Sequence, residues 1–116
     1  MKGLLLFFIA IVLFIPLTVI NVLIVINKYK TWKSLDLYFY DTAVDIDKFG
    51  NHNFRTLFNK VLILKDAYRF GNINETISSV LGKNERDKKL TITGKLLVKI
   101  LNLIDKDHCK KSIFEI

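Results

Sequence analysis

The sequence predicts an all-α protein, one N-terminal transmembrane helix followed by a small domain of three to four helices. Three observations lead there. Between Lys2 and Lys28 the chain carries no charged residue, a run that only a lipid-spanning or deeply buried helix needs. Most apolar residues after that run recur at spacings of three and four. The one alternating stretch, Leu35, Leu37 and Phe39 against Asp36, Tyr38 and Tyr40, has no second strand to pair with. The expected organisation is an anchor over residues 1–30, a juxtamembrane aromatic and basic segment over 31–40, and a basic helical domain over 41–116.

From Leu4 to Ile26 only Pro16, Thr18 and Asn21 interrupt the apolar residues. These 23 residues would extend about 34 Å as a helix, enough for a hydrocarbon core of about 30 Å. A cleavable leader has a shorter apolar core followed by small residues, whereas this run continues into more aliphatics, so an uncleaved single-pass anchor is expected. The lone cysteine, Cys109, lies far from the run and excludes lipid attachment there. It also excludes an internal disulfide and a cysteine-rich zinc site. Lys28, Tyr29, Lys30, Trp32 and Lys33 mix cations with amphipathic rings, the composition of a headgroup boundary. Three lysines on that side against Lys2 on the other direct the C-terminal domain to the cytoplasm. Asn21 is expected near the hydrated end of the span.

Only Lys2 of the 18 Lys+Arg precedes residue 27, so 17 cations face all 11 Asp+Glu and the remainder carries +6. That length closes a modest core. Leu35–Tyr40 reads as extended or interfacial. Asp41 caps a short helix that Gly50 and Asn51 stop. A second helix begins near Asn51 or Asn53, carries Phe54, Leu57, Phe58, Val61 and Leu62 on one face, and ends near Lys65. A third runs from an Asn74 cap to a Gly82 stop. Thr93 opens the most regular helix, with Leu96, Leu97, Ile100, Leu101 and Ile104 inward and Lys95, Lys99, Asn102 and Lys106 outward.

Several chemical motifs fail on spacing. Gly94–Lys95 resembles the end of a phosphate loop, but Lys89 stands where its first glycine belongs and Leu96 where its hydroxyl belongs. Asp45, Asp47 and Gly50 start like a calcium loop whose twelfth position is Thr56, not a carboxylate. His52, His108 and Cys109 lack paired ligand spacing, so no metal and no other cofactor is expected. His108 and Cys109 are adjacent and point about 100° apart on a helix, which argues against a nucleophile and base pair. Glu75 near one helix start and His108 near another helix end suit the helix dipoles. Glu75, Ser79, His108 and Cys109 are the candidate polar cluster, read first as a structural clasp. Cys109 is expected to be a buried packing residue. Tyr68, Arg69 and Phe70 are too few to define a nucleic-acid module.

Asn74–Glu75–Thr76–Ile77–Ser78–Ser79, then Gly82–Lys83, and later Ile104, Asp105, His108, Cys109, Ser112, Ile113 and Glu115 resemble a family of small uncharacterised bacteriophage proteins with an ETISS stretch and a terminal HC pair. The resemblance covers Asn72 to Glu115 and implies phage origin; it brings no activity with it. The expectation is a non-enzymatic bacteriophage membrane protein, a component of a lipid-containing virion, holding a basic domain at the bilayer surface. Its expected setting is a virion internal membrane or the host inner membrane, with the C-terminal domain cytoplasmic or DNA-facing. Expected partners are the bilayer itself and, through the basic domain, anionic lipid, capsid protein or DNA; a homo-oligomer is compatible with all of these. The competing expectations are a single-span holin-like lysis protein and a membrane-tethered enzyme using Glu75, His108 or Cys109.

Overall fold

A computed structural model describes residues 1–114; Glu115, the last residue of the phage-like pattern, lies outside them. Among the described residues six helices form and there is no strand, only an isolated antiparallel bridge between Ile63 and Leu90. The fold is all-α. The chain divides into two compact units, one ending at Asp41 and the other beginning at Thr42.

In the first unit, α1 (Lys2–Tyr29) buries no residue. At 28 residues it extends about 42 Å, and it is the one helix of the described residues long and apolar enough to cross a membrane. Pro16 removes a backbone donor inside it, and two residues on the Thr18 hydroxyl donates to the Phe14 carbonyl at 2.6 Å. The helix ends at Lys30, left-handed at φ 54°, whose N–H donates to the Ile26 carbonyl. Thr31 then accepts the Ser34 N–H on its side-chain oxygen and caps α2 (Trp32–Asn53).

Helix α2 corrects three expectations. Leu35–Tyr40 is helical, not extended: without a partner strand, only a helix satisfies its backbone groups within the segment. Asp41 lies inside the helix and does not cap one. Gly50 does not stop it, because Gly50 is buried with Ile77 against it, the Ile77 Cδ1 lying 3.0 Å from where a Cβ would be. Asn21 is also not merely hydrated, since its Nδ2 donates to the Tyr38 hydroxyl at 2.8 Å.

In the second unit, α3 spans Arg55–Val61, α4 Ile77–Arg86, α5 Ile92–Ile104 and α6 His108–Lys111. Threonines cap the two longest: Thr76 accepts the Ser79 N–H, and Thr91 accepts the Gly94 N–H. The expected caps at Asn74 and Thr93 are displaced by two residues each, and α3 stops at Val61 instead of Lys65. Gly82 sits inside α4, not at its end. A Cβ there would lie 2.1 Å from the Cys109 carbonyl oxygen, so glycine is what lets α6 cross α4. Gly94 does the same for α5, with the Leu62 carbonyl oxygen 2.2 Å from its missing Cβ.

Those two close approaches set the core. Leu62, Ile63, Phe70, Val80, Leu81, Leu90, Val98 and Cys109 are buried together, with Phe58, Leu97 and Leu101 packed against them. The Phe58 and Phe70 rings meet edge to face at 5.3 Å. Helix α5 is therefore rotated from its expected phase. Gly94 and Val98 face inward together with Leu97 and Leu101, which were expected there, while Leu96, Ile100 and Ile104, expected inside, are exposed.

Candidate functional site

The chain between α3 and α4 is long for a connection without its own secondary structure. Three asparagines hold its backbone. The side chain of Asn59 accepts from the Phe70 N–H at 2.7 Å and donates to the Phe70 carbonyl at 3.2 Å. Asn84 repeats the pattern on Tyr68, at 2.9 and 2.8 Å. Asn51 accepts from the Gly71 N–H and donates to the Asn72 and Glu75 carbonyls. Each amide imitates the donor and acceptor pair of a neighbouring strand, so the loop is fixed without a sheet. The sequence reading missed these residues, because their partners lie 11 to 24 positions away and an asparagine carries no periodic signal.

The fixed loop delivers Tyr68 and Glu75 to one side of α4. The Glu75 carboxylate is buried and fully engaged: Oε1 accepts the Tyr68 hydroxyl at 2.8 Å, while Oε2 accepts the Ser79 hydroxyl at 2.6 Å and the Lys83 ammonium at 2.7 Å. The Lys83 Nζ also lies 4.2 Å from the centre of the Tyr68 ring, a cation over an aromatic face. Ser79 in turn accepts the Phe114 N–H at 2.8 Å, tying the C-terminal segment to the same cluster. Burial lowers the Lys83 pKa, but its bonds to Glu75 and Tyr68 outweigh that and leave it above the ordinary lysine value. Burial, reinforced by Glu75, raises the Tyr68 phenol as well. Both groups stay protonated near neutral pH, so neither serves as a base or an amine nucleophile.

His108 is not part of that cluster. Its Nε2 lies 3.1 Å from the Ser78 hydroxyl and its Nδ1 lies 3.1 Å from an Asp105 carboxylate oxygen. Ser78, His108 and Asp105 thus have the connectivity of an acyl-transfer triad. The surroundings oppose that chemistry. Ser78 is only 5% exposed, and Asp47 occupies the start of α4, where its Oδ1 accepts the Ile77 N–H at 2.6 Å and its Oδ2 lies 3.3 Å from the Ser78 hydroxyl. A carboxylate stands where a developing oxyanion would need donors. Burial raises the Asp47 carboxyl, against the lowering effect of its bonds to Ile77 and Ser78. The arrangement joins α2, α4 and the start of α6 through one hydroxyl.

Cys109 points into the core, fully buried. Burial, with Glu85 and Asp47 adding negative charge nearby, pushes its thiol up to about 12. Its thiolate fraction at pH 7 is therefore about one part in 10⁵, and thiolate is the reactive form. Of the four residues expected to cluster, Glu75 and Ser79 meet, while His108 and Cys109 belong to separate environments. No group of three metal-binding side chains forms among the described residues.

No protein family matches this chain, nor does any curated protein or solved structure. The site is thus to be read from its own geometry. No buried side-chain polar atom of the Glu75 carboxylate cluster lacks an internal partner, which makes it a clasp between loop, helix and C-terminal segment.

Lys28, Tyr29, Lys30, Trp32 and Lys33, expected at a membrane interface, surround the turn between α1 and α2. Lys28 and Tyr29 end α1, Lys30 and Thr31 form the turn, and Trp32 and Lys33 begin α2. Trp32 is 85% exposed, and the Lys28 Nζ lies 5.3 Å from the centre of the Tyr29 ring. Ile26, Lys30, Thr31, Trp32 and Leu35 line a shallow hollow at this turn.

Proposed function

We propose that this chain is a non-enzymatic, single-pass membrane protein of a bacteriophage, a component of a lipid-containing virion, in which α1 tethers the basic helical unit to a bilayer surface. The observation that carries the reading is α1 itself: a long helix, uncharged between Lys2 and Lys28, that contributes no buried residue to the chain. Such a surface in water would cost on the order of 25 cal/mol for each exposed apolar Å², and lipid removes that cost. The turn at Lys28–Lys33, with its cations and exposed Trp32, suits the headgroup layer. The ETISS and HC residues support the phage assignment, and the internally satisfied Glu75 cluster favours a structural over a catalytic role.

The test is fractionation of expressing cells followed by alkaline carbonate washing, with particles purified in parallel. Retention in the washed membrane and recovery in particles is the expected result. Release by carbonate would refute the anchor. Collapse of the membrane potential on expression, with no protein in particles, would transfer the assignment to a lysis protein. Topology is best read from a Lys65→Cys variant labelled in intact cells, since Cys109 is buried and its thiol unreactive.

A further inference from the structure

Helix α5 has two apolar faces. One, through Gly94, Val98 and Leu101, closes the core. The other carries Ile92, Leu96, Ile100, Leu103 and Ile104, exposed by 86, 57, 47, 79 and 80% respectively. At about 100° per residue these five fall within one arc of about 120°. A continuous apolar row of this kind on a small domain marks a surface that something covers.

Charge selects the occupant. Lys95 and Lys99 border the row on one side, both exposed and neither in an ion pair among the described residues. They also line a hollow of about 300 Å³ with Glu85, Leu90, Val98 and Leu103, which brings two ammonium groups to the edge of the row. Helix α5 contains no acidic residue. Two copies pairing through this face would bring four lysines together against only two Glu85 carboxylates, like net charge on both sides. An anionic lipid surface offers the complement of both features: phosphates for the lysines and the acyl boundary for the apolar row.

We infer that the outer face of α5 docks on an anionic phospholipid surface, its apolar row lying at the acyl boundary and Lys95 and Lys99 meeting headgroup phosphates. This rests on the anchor reading, because α1 in the same chain supplies the high local concentration of bilayer that a short amphipathic face needs. Docking gives the second unit a preferred face toward lipid and leaves the rest of its surface free for other contacts.

The test uses the full chain in phosphatidylcholine vesicles containing about one-third phosphatidylglycerol, a surface on which each lysine contributes about 1 kcal/mol. Nitroxide labels are attached separately at Leu103→Cys and at Ile15→Cys, with the unreactive Cys109 left in place. Accessibility to oxygen, which partitions into lipid, is compared with that to a water-soluble nickel complex. Oxygen-dominated access at both positions is the expected result. The Lys95→Gln, Lys99→Gln pair should then reduce the docked to undocked ratio about thirtyfold, with the Leu103 label moving to water while the Ile15 label stays in lipid. A water-exposed label at Leu103 beside a lipid-exposed label at Ile15 overturns the docking and leaves the anchor standing. Water exposure at both overturns the anchor too. Labels at Leu103 shielded from both reagents and magnetically coupled to one another would show that a second copy covers the face, which also overturns the inference.

Discussion

Gly82 gives the sharpest test of the packing in the second unit, because two opposing effects of known sign meet there. Replacing it with alanine adds helix propensity, a gain of about 1 kcal/mol in a helix interior. The new Cβ would lie 2.1 Å from the Cys109 carbonyl oxygen, 2.7 Å from the Cys109 carbonyl carbon and 2.9 Å from the Ile113 side chain. The first two are backbone, so α6 must shift as a whole by about 1 Å, an overpacking cost of about 3 kcal/mol. The net effect of Gly82→Ala is a destabilisation of about 2 kcal/mol, or a factor of about 30 in the opening equilibrium. Cys109 reports that opening directly, since it is fully buried and reacts only when α6 separates from α4. The full chain in detergent micelles is exposed to a thiol reagent at fixed pH, and the modification rate should rise about thirtyfold in Gly82→Ala. Gly50→Ala is the internal contrast. Its Cβ would press only on the flexible tip of Ile77, at 3.0 Å, with the Phe54 ring at an ordinary 3.8 Å, so the rate should stay level or fall by up to about fivefold. A Gly82→Ala rate equal to or below the parent rate would refute the close crossing of α4 and α6.

Three further outcomes follow from the clasp and the loop. Lys83→Met strands the buried Glu75 carboxylate and should destabilise the second unit by about 3–5 kcal/mol, while the Glu75→Gln, Lys83→Met pair should recover most of that loss in urea titration. Because Lys83 titrates above its ordinary value of 10.5, its contribution is present in full below about pH 10.5 and is lost as pH rises through the folded value; the alkaline fall in the urea midpoint should be smaller in Lys83→Met. Asn84→Leu leaves the Tyr68 N–H and carbonyl without their partner and should cost about 2–4 kcal/mol, with faster hydrogen exchange over residues 66–72 as the local readout.

The fold class and the long apolar helix were legible because both rest on signals that survive without tertiary context: a charge-free run of apolar residues and helical spacing thereafter. The helix limits were not. Asn74, Gly82 and Thr93 are the residues local rules select as caps and stops, yet Thr76 and Thr91 cap the helices and Gly82 lies within one. Local chemistry gives several adjacent candidates similar capping strength, and packing decides among them. Glycine is the clearest instance. In isolation Gly82 reads as a terminator because it weakens a helix, whereas in the fold it is the residue through which the α6 backbone can approach.

The candidate site divides along the same line. Glu75, Ser79 and Lys83 recur at spacings of four, so their meeting on one side of α4 follows from helical geometry, with Glu75 lying just ahead of the helix. Tyr68 reaches them only because Asn51, Asn59 and Asn84 fix a loop through contacts that no local pattern encodes. The phase of α5 was legible only in part, at Leu97 and Leu101, for a related reason. Its sequence holds more apolar residues than one face of a helix can bury, so either set could have been the core. Gly94 breaks the tie: the Leu62 carbonyl can approach the helix only at that position, which turns Val98 inward and leaves Leu96, Ile100 and Leu103 outside. An apolar surplus that the core cannot absorb is thus a consequence of one backbone contact, and it is this surplus, bordered by Lys95 and Lys99, that gives the second unit a face suited to lipid.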